Sequence, residues 1–150
     1  MDIKELKPTS IWHYFDAITG VPRPSKKEER IREFLLNFAK EQNLEVKVDK
    51  TGNVVITKEA TPGCEGAPTV ILQAHMDMVC EKNGDVKHDF ERDPIETYID
   101  GEWVKARGTT LGADNGIGMA AAMAVLADKE LKHGRIQALF TVDEETGLTL

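Results

Sequence analysis

The spacing of apolar residues in the first third of the chain predicts two amphipathic helices. The first follows Pro8-Thr9-Ser10, which supplies a candidate cap. The second follows Ser25, which forms a capping-box pattern with Glu28. The apolar faces of the two helices, at helical spacing, are Ile11, Trp12, Phe15 and Ile18, and then Ile31, Phe34, Leu35 and Phe38. Both helices are expected to cover a sheet.

Alternating or continuous apolar runs predict the strands of that sheet. They cover residues 45–49, 53–57, 69–74, 95–99, 103–106 and 136–142. The nearly uninterrupted apolar run at 69–74 predicts a central strand that is buried on both faces. Residues 116–127, which are rich in Ala and Met, predict a largely buried helix. This alternation predicts an α/β fold in which helices cover a mixed β-sheet.

The bulk composition narrows the class of protein. A chain of 150 residues that is 41% hydrophobic and 30% charged is typical of one soluble globular domain. The net charge of −7 argues against a nucleic-acid partner, and the basic cluster Arg23–Arg32 is predicted to be a solvated helix face. No apolar run approaches the ~20 residues of a membrane span, and the N-terminus lacks a signal-peptide pattern. With only two cysteines, a cytoplasmic location is expected, and Cys80 is predicted to pack as a small apolar residue rather than to bind metal.

Three apolar runs end in groups that bind cations or move protons. His75 and Asp77 follow the first run, Asp114 lies among glycines, and Glu144 and Glu145 follow the last. Because sites in open α/β sheets form beyond the carboxyl ends of strands, we expect one shared metal site. Imidazole and carboxylate together suit zinc, with manganese or cobalt as substitutes. The pattern therefore favours hydrolysis by metal-activated water.

Each of these patterns alone also has a purely structural interpretation. His75 and Asp77 point to the same side of a strand, so one could bind metal while the other accepts its ring N–H, but a lone pair of this kind is more often an exposed strand end. Asp114 could bridge two cations, or it could cap the helix that follows. Glu144 and Glu145 could divide metal binding and proton transfer between them, or form an acidic strand end. Their combination favours the metal site.

The chain resembles the co-catalytic zinc aminopeptidase and carboxypeptidase superfamily over essentially its whole length. The matching segments are Leu72–Lys82, Thr109–Gly118 and Thr141–Leu148. The likeness is greatest to the Xaa-His dipeptidase branch, and it implies hydrolysis of dipeptides, notably Xaa-His, in the cytoplasm. A related metal-dependent deacylase or amino-acid carboxypeptidase stays open as an alternative, although Cys80-Glu81-Lys82-Asn83 favours the dipeptidase branch.

The resemblance also implies a role for each candidate residue. His75 would bind one zinc, Asp114 would bridge two, and Glu145 would bind the second. Glu144 would be the general base that takes a proton from zinc-activated water, and Asp77 would orient the site from beside His75. The resemblance further implies a cis peptide bond after Asp114.

Members of the superfamily are much longer than 150 residues. They carry further metal ligands and an inserted domain for dimerisation or substrate closure. The resemblance therefore implies that residues 1–150 are the N-terminal part of a zinc-exopeptidase-like catalytic domain, and that the parent protein is a homodimer. It leaves open a non-catalytic fragment that associates with itself or with its missing half.

Overall fold

The computed structural model describes residues 1–147, which form three α-helices, two short 3-10 helices, a four-stranded sheet and a separate two-stranded hairpin. The helices are α1 (Thr9–Thr19), α2 (Glu29–Glu41) and α3 (Ala113–Ala127). The strands are β1 (Glu45–Val48), β2 (Val54–Lys58), β3 (Val70–His75), β4 (Thr97–Asp100), β5 (Trp103–Ala106) and β6 (Ile136–Thr141). Every predicted helix and strand is present, and the α/β fold with a mixed sheet is confirmed. Within residues 1–147, no helix has the length and apolar character that crossing a bilayer requires.

The sheet has the strand order β1-β2-β6-β3. β2 pairs antiparallel with both β1 and β6. β3 pairs parallel with β6, and His75 lies opposite Thr141. Parallel pairing brings the carboxyl ends of β3 and β6 to the same edge of the sheet. The residues that follow these two strands therefore meet, although 69 positions along the chain separate His75 from Glu144.

The three helices build the core against this sheet. α2 packs on β1 and β2, and it buries Ile31, Leu35 and Phe38 as its apolar spacing predicted. α3 packs against β3 and β6 on one side and against α1 on another. Its buried residues are Gly116, Met119, Ala120, Ala122, Met123 and Leu126, so the prediction of a largely buried helix is confirmed.

The predicted caps of α1 and α2 are wrong. α1 begins at Thr9 after Pro8, and no side chain caps it. α2 begins at Glu29, four residues beyond the expected cap Ser25, and it also lacks a side-chain cap. Ser25 and Glu28 instead bond to residues more than 50 positions away, because acceptors and donors at the carboxyl edge of the sheet compete successfully for them.

β3 is not a central strand within the described chain. It pairs with β6 on one side only, and Val70 and Ile71 are 52% and 62% exposed. Only its last residues, Ala74 and His75, are buried. The apolar run predicted a strand correctly, but such a run does not determine which elements lie on its two sides, so the prediction of burial on both faces is wrong.

Candidate metal centre

His75, the last residue of β3, is held by contacts to both of its ring nitrogens. Nδ1 lies 2.9 Å from the carbonyl oxygen of Asp77 and 3.2 Å from the Oδ1 atom of Asp77. A carbonyl oxygen can only accept, so Nδ1 carries the proton and donates it. In the neutral imidazole, the lone pair of Nε2 then faces Oδ1 of Asp114 at 2.9 Å. Two acceptors at this distance need a proton or another cation between them.

The raised pKa of His75 also indicates that this position favours a positive charge. Burial alone would lower the pKa of this imidazole, since the residue is only 5% exposed. The hydrogen bond to Asp114 and the negative charge of Asp77 act in the opposite direction and outweigh burial, so the pKa is raised. In the absence of another cation, the site therefore favours a proton on His75.

Asp77 is fully buried and joins three segments of the chain. Its Oδ1 atom accepts the backbone N–H of Glu144 at 3.1 Å. Its Oδ2 atom accepts the hydroxyl of Ser25 at 2.6 Å and the backbone N–H of Glu145 at 3.0 Å. These bonds, together with the contact to Nδ1 of His75, use its acceptor capacity inside the protein. Asp77 thus orients its neighbours and presents no free oxygen outward.

Asp114 reaches the site from an irregular first turn of α3. Gly112 has a φ of 79°, and the dihedrals of Asp114 and Asn115 are not helical. The peptide bond between Asp114 and Asn115 is cis, as the resemblance implied. Asn115 caps the regular part of the helix through its Oδ1 atom, which accepts the N–H of Gly118 at 3.0 Å. The interpretation of Asp114 as the cap is therefore wrong, and its side chain, 85% exposed, faces His75 instead.

Glu144 and Glu145 lie on a single 3-10 turn that follows β6. Oε2 of Glu144 is 3.8 Å from Nε2 of His75, and Oε1 of Glu145 is 3.9 Å from the same nitrogen. The two side chains differ in exposure, at 46% for Glu144 and 21% for Glu145. Burial and the negative charges of Glu144 and Asp114 raise the pKa of Glu145. A cation bound here would relieve that repulsion.

Three of the predicted site residues form a cluster that could hold a metal ion. Among the described residues, one ligand atom each of His75, Asp114 and Glu145 lie within 4.8 Å of one another. One imidazole and two carboxylates are a donor set that suits zinc, and also other divalent ions of the first transition row. The residues present therefore fit a divalent cation. Cys80 lies outside this cluster, half-buried, with its thiol directed at the carbonyl of Met78 at 3.6 Å.

Arg23 lies beneath the cluster and was not among the site residues predicted from the sequence. The residue is 2% exposed, so the prediction that it belongs to a solvated helix face is wrong. Residues 22–28 precede α2 rather than forming part of it, and Pro24 bridges to Met78 beside β3, which turns the arginine inward. Burial lowers the pKa of Arg23 to about 10, so the guanidinium group stays charged at neutral pH.

Glu28 and Asp143 form a second buried polar contact below the site. The carboxylate of Glu28 accepts the N–H of Asp143 at 2.7 Å, and Asp143 accepts the N–H of Lys26 at 2.8 Å. Burial raises the pKa of Glu28 to about 7, and the neighbouring charge of Asp143 adds to the increase. We call residues Arg23–Glu28 the support segment, because they contact every loop that carries a candidate ligand. The one sequence signal for this role is Pro22-Arg23-Pro24, which keeps the arginine out of a helix.

A sheet edge that gathers an imidazole and several carboxylates is typical of the metal-dependent hydrolases of the α/β type. Residues 71–149 match the profile of peptidase family M20/M25/M40. The chain therefore belongs to peptidase family M20/M25/M40. That match includes Leu148, the last residue of the third matching segment, which lies outside the described residues.

Individual relatives agree with this assignment. The chain is 52% identical over 147 residues to a cytosol non-specific dipeptidase of Escherichia coli, and covers 98% of its own length and 30% of that protein. The structure of an aminoacylhistidine dipeptidase from Vibrio alginolyticus superposes with a TM-score of 0.97 at 56% identity, over 99% of this chain and 30% of that one. An aminopeptidase from Bacillus cereus superposes with a TM-score of 0.73 at 27% identity, over 92% of this chain and 37% of the other. The chain thus spans about 30% of the length of the dipeptidases it matches.

Proposed function

We propose that this chain carries part of the metal centre of a dipeptidase, and that His75, Asp114 and Glu145 bind zinc there. The observation that carries the proposal is the convergence of the Nε2 lone pair of His75 with carboxylate oxygens of Asp114 and Glu145. Asp77 accepts the proton of the other ring nitrogen, Nδ1, and so orients the imidazole as a metal-bound histidine requires. Zinc is the first choice for this donor set, with manganese or cobalt as substitutes.

We assign proton transfer to Glu144. A bound metal ion supplies Lewis acidity and lowers the pKa of water toward neutrality. Glu144 is the more exposed of the two glutamates, so its carboxylate can reach a water molecule. The hydrogen bond from its backbone N–H to Asp77 keeps the residue in position. Asp114, with one oxygen facing His75 and a side chain that is 85% exposed, is the residue that two ions would share in the two-metal arrangement of the family.

The substrate that we propose is a dipeptide, with Xaa-His as the first class to test, and the location that we propose is the cytoplasm. The substrate proposal is supported by the 52% identity to a cytosol non-specific dipeptidase and by the match to an aminoacylhistidine dipeptidase, and the location by the first of these relatives. We also propose, from the resemblance, that the 150 residues are the N-terminal part of a catalytic domain in a dimeric parent protein. A polypeptide of the relatives' full length should hydrolyse Xaa-His dipeptides faster than N-acylated amino acids. The reverse preference would favour the deacylase alternative.

Zinc titration of the metal-free chain tests the metal site directly. We expect calorimetry to detect zinc binding that is lost in His75→Ala and Asp114→Ala, because each change removes a ligand. Glu102→Gln removes an exposed carboxylate outside the cluster and serves as the matched control. Unchanged binding in both ligand variants would refute the assignment.

The role of Glu144 needs a separate measurement, because a general base does not have to bind metal. In a polypeptide of the relatives' full length, Glu144→Ala should retain zinc and lose nearly all turnover. Glu145→Ala should lose both zinc and turnover. Turnover retained in Glu144→Ala would remove Glu144 from its assigned role.

A further inference from the structure

We propose that Arg23 is a positioning residue for the metal centre: its guanidinium group joins the segment of His75 and Asp77 to the segment of Asp114. This inference rests on the proposed function and adds to it a residue that binds neither metal nor substrate. It assigns to the support segment the task of setting the separation between two ligands that come from different parts of the fold.

The two terminal nitrogens of Arg23 bond to different segments. Nη1 donates to the carbonyl oxygen of Met76 at 3.0 Å and to that of Asp77 at 3.3 Å. Nη2 donates to the carbonyl oxygen of Gly112. A planar guanidinium group with two separated nitrogens is suited to hold both segments at a fixed distance, because its donors form a rigid fork.

These carbonyl groups lie next to the ligands themselves. Met76 directly follows His75 in the chain, and Gly112 lies two residues before Asp114. The carbonyl of Gly112 also accepts the N–H of Gly116 at 3.0 Å in the first turn of α3. The bond from Arg23 therefore acts on the turn that directs Asp114 toward His75.

Two glycines leave the space that the guanidinium group occupies. A Cβ atom on Gly112 would lie 2.6 Å from Nη2 of Arg23, and one on Gly116 would lie 2.9 Å from the same atom. The arginine is 2% exposed, so it has no solvent-filled volume into which it could withdraw. The close approach of Arg23 is therefore one reason for glycine at positions 112 and 116, on either side of Asp114.

Arg23 is attracted by the negative charges of Asp77 and Asp114, but as a cation beneath a cation site it opposes metal binding through its charge. Its geometry is the remaining contribution, and two substitutions separate the two effects. Arg23→Lys keeps the charge but replaces two separated nitrogens by one, so it loses the link between the segments. Arg23→Met removes both the link and the charge.

The test is zinc titration of the metal-free chain, with zinc itself as the probe. We expect Arg23→Lys to bind zinc at least tenfold more weakly than the wild type. Arg107→Lys should bind within twofold of the wild type, because Arg107 is an exposed arginine that pairs with Glu96. The inference is overturned if Arg23→Lys binds within twofold of the wild type, whether or not Arg23→Met binds more tightly.

A general loss of stability has to be separated from a loss of positioning. Phe38→Leu destabilises the core between α1 and α2, where Phe38 meets Tyr14, and it leaves the support segment intact. We expect Phe38→Leu to bind zinc like the wild type even where its stability equals that of Arg23→Lys. If the two variants lose affinity equally, Arg23 is structural only.

Hydrogen exchange in the metal-free chain keeps the inference testable even if the proposed function fails. We expect the amide of Gly116, which shares the Gly112 carbonyl with Arg23, to exchange at least tenfold faster in Arg23→Lys than in Phe38→Leu. An unchanged rate overturns the positioning role whatever zinc does. If the wild type binds no zinc, or His75→Ala binds it equally well, the proposed function fails while this measurement still decides the role of Arg23.

Discussion

Asp77 and Asp114 both contact the ring of His75, yet they stand at opposite extremes of the site. Asp77 is fully buried and accepts bonds from Ser25 and from two backbone amides. The side chain of Asp114 is 85% exposed, and its contact within the described chain is the one to His75. Positioning and metal binding are thus divided between two layers of polar residues. The inner layer is Asp77 with Arg23, Ser25 and Glu28 of the support segment, and the outer layer is Asp114, Glu144 and Glu145. The inner layer fixes positions, and the outer layer presents oxygens that a cation can take.

The physical reason for the division is the cost of burying charge. A buried carboxylate must have its lone pairs satisfied by the protein, which ties it to several segments at once. An exposed carboxylate is solvated by water and can remain uncommitted until a cation arrives. Removing an inner residue should therefore cost stability and metal binding together, whereas removing an outer residue should cost metal binding alone.

The largest expected effect is that of Asp77→Ala. The change leaves the hydroxyl of Ser25 and the amides of Glu144 and Glu145 without their acceptor. We expect the free energy of unfolding to fall by about 3 kcal/mol or more, measured by urea denaturation. Asp77→Asn, which keeps one acceptor oxygen, should lose less. A loss below about 1 kcal/mol in Asp77→Ala would show that the inner layer does not hold the fold together.

Ser25→Ala should produce the next largest effect. It removes one hydrogen bond to a charged, buried acceptor, the 2.6 Å contact to Asp77. We expect the free energy of unfolding to fall by about 2 kcal/mol. Ser10→Ala is the matched control, because Ser10 is exposed in the first turn of α1 and its removal should change stability little. Equal effects of the two substitutions would place Ser25 outside the inner layer.

Glu28→Gln tests whether the buried carboxyl group of Glu28 makes the free energy of unfolding depend on pH. The folded-state pKa of Glu28 is about 7, above its ordinary value of 4.5. A raised pKa contributes stability that is present below about pH 4.5 and is lost as pH rises through 7. Between pH 5 and pH 8, the wild type should therefore lose roughly 1–2 kcal/mol of unfolding free energy relative to Glu28→Gln, measured from urea midpoints. Parallel stability profiles of the two proteins would contradict this.

The smallest expected effect on stability is that of Asp114→Ala. Because the side chain is exposed, we expect the free energy of unfolding in metal-free buffer to change by less than about 0.5 kcal/mol. Zinc should stabilise the wild type but not this variant, since a ligand raises stability only when it binds the folded state. Thermal unfolding with and without zinc measures both quantities. A large destabilisation without metal would place Asp114 in the inner layer.

The outer layer, together with His75 and Asp77, could be predicted from the sequence, whereas the other residues of the inner layer could not. His75, Asp114, Glu144 and Glu145 stand where apolar runs stop, so the pattern itself exposes them. These residues lie close together because the carboxyl ends of neighbouring parallel strands meet at one edge of the sheet. The helices and strands were predicted to within a few residues because each follows from local spacing.

Ser25 and Glu28 show why the rest of the inner layer could not be predicted from the sequence. Their spacing is that of a capping box, and a local pattern of this kind has a local interpretation. Their actual partners, Asp77 and Asp143, lie 52 and 115 positions away. Arg23 escaped for a related reason, since a basic residue between charged neighbours is usually solvated. In all three cases, a hydrogen bond to a residue far away in the sequence determines where the side chain lies. The spacing of residues along the chain does not reveal such bonds.

Anomalous diffraction from crystals of the zinc-loaded chain would show directly which side chains bind the metal. We predict a peak about 2.0–2.2 Å from Nε2 of His75 and from carboxylate oxygens of Asp114 and Glu145, with Asp77 still bonded behind the imidazole. A zinc peak away from these three side chains, or one coordinated by Asp77 in place of Asp114, would contradict the division between an inner layer that positions and an outer layer that binds.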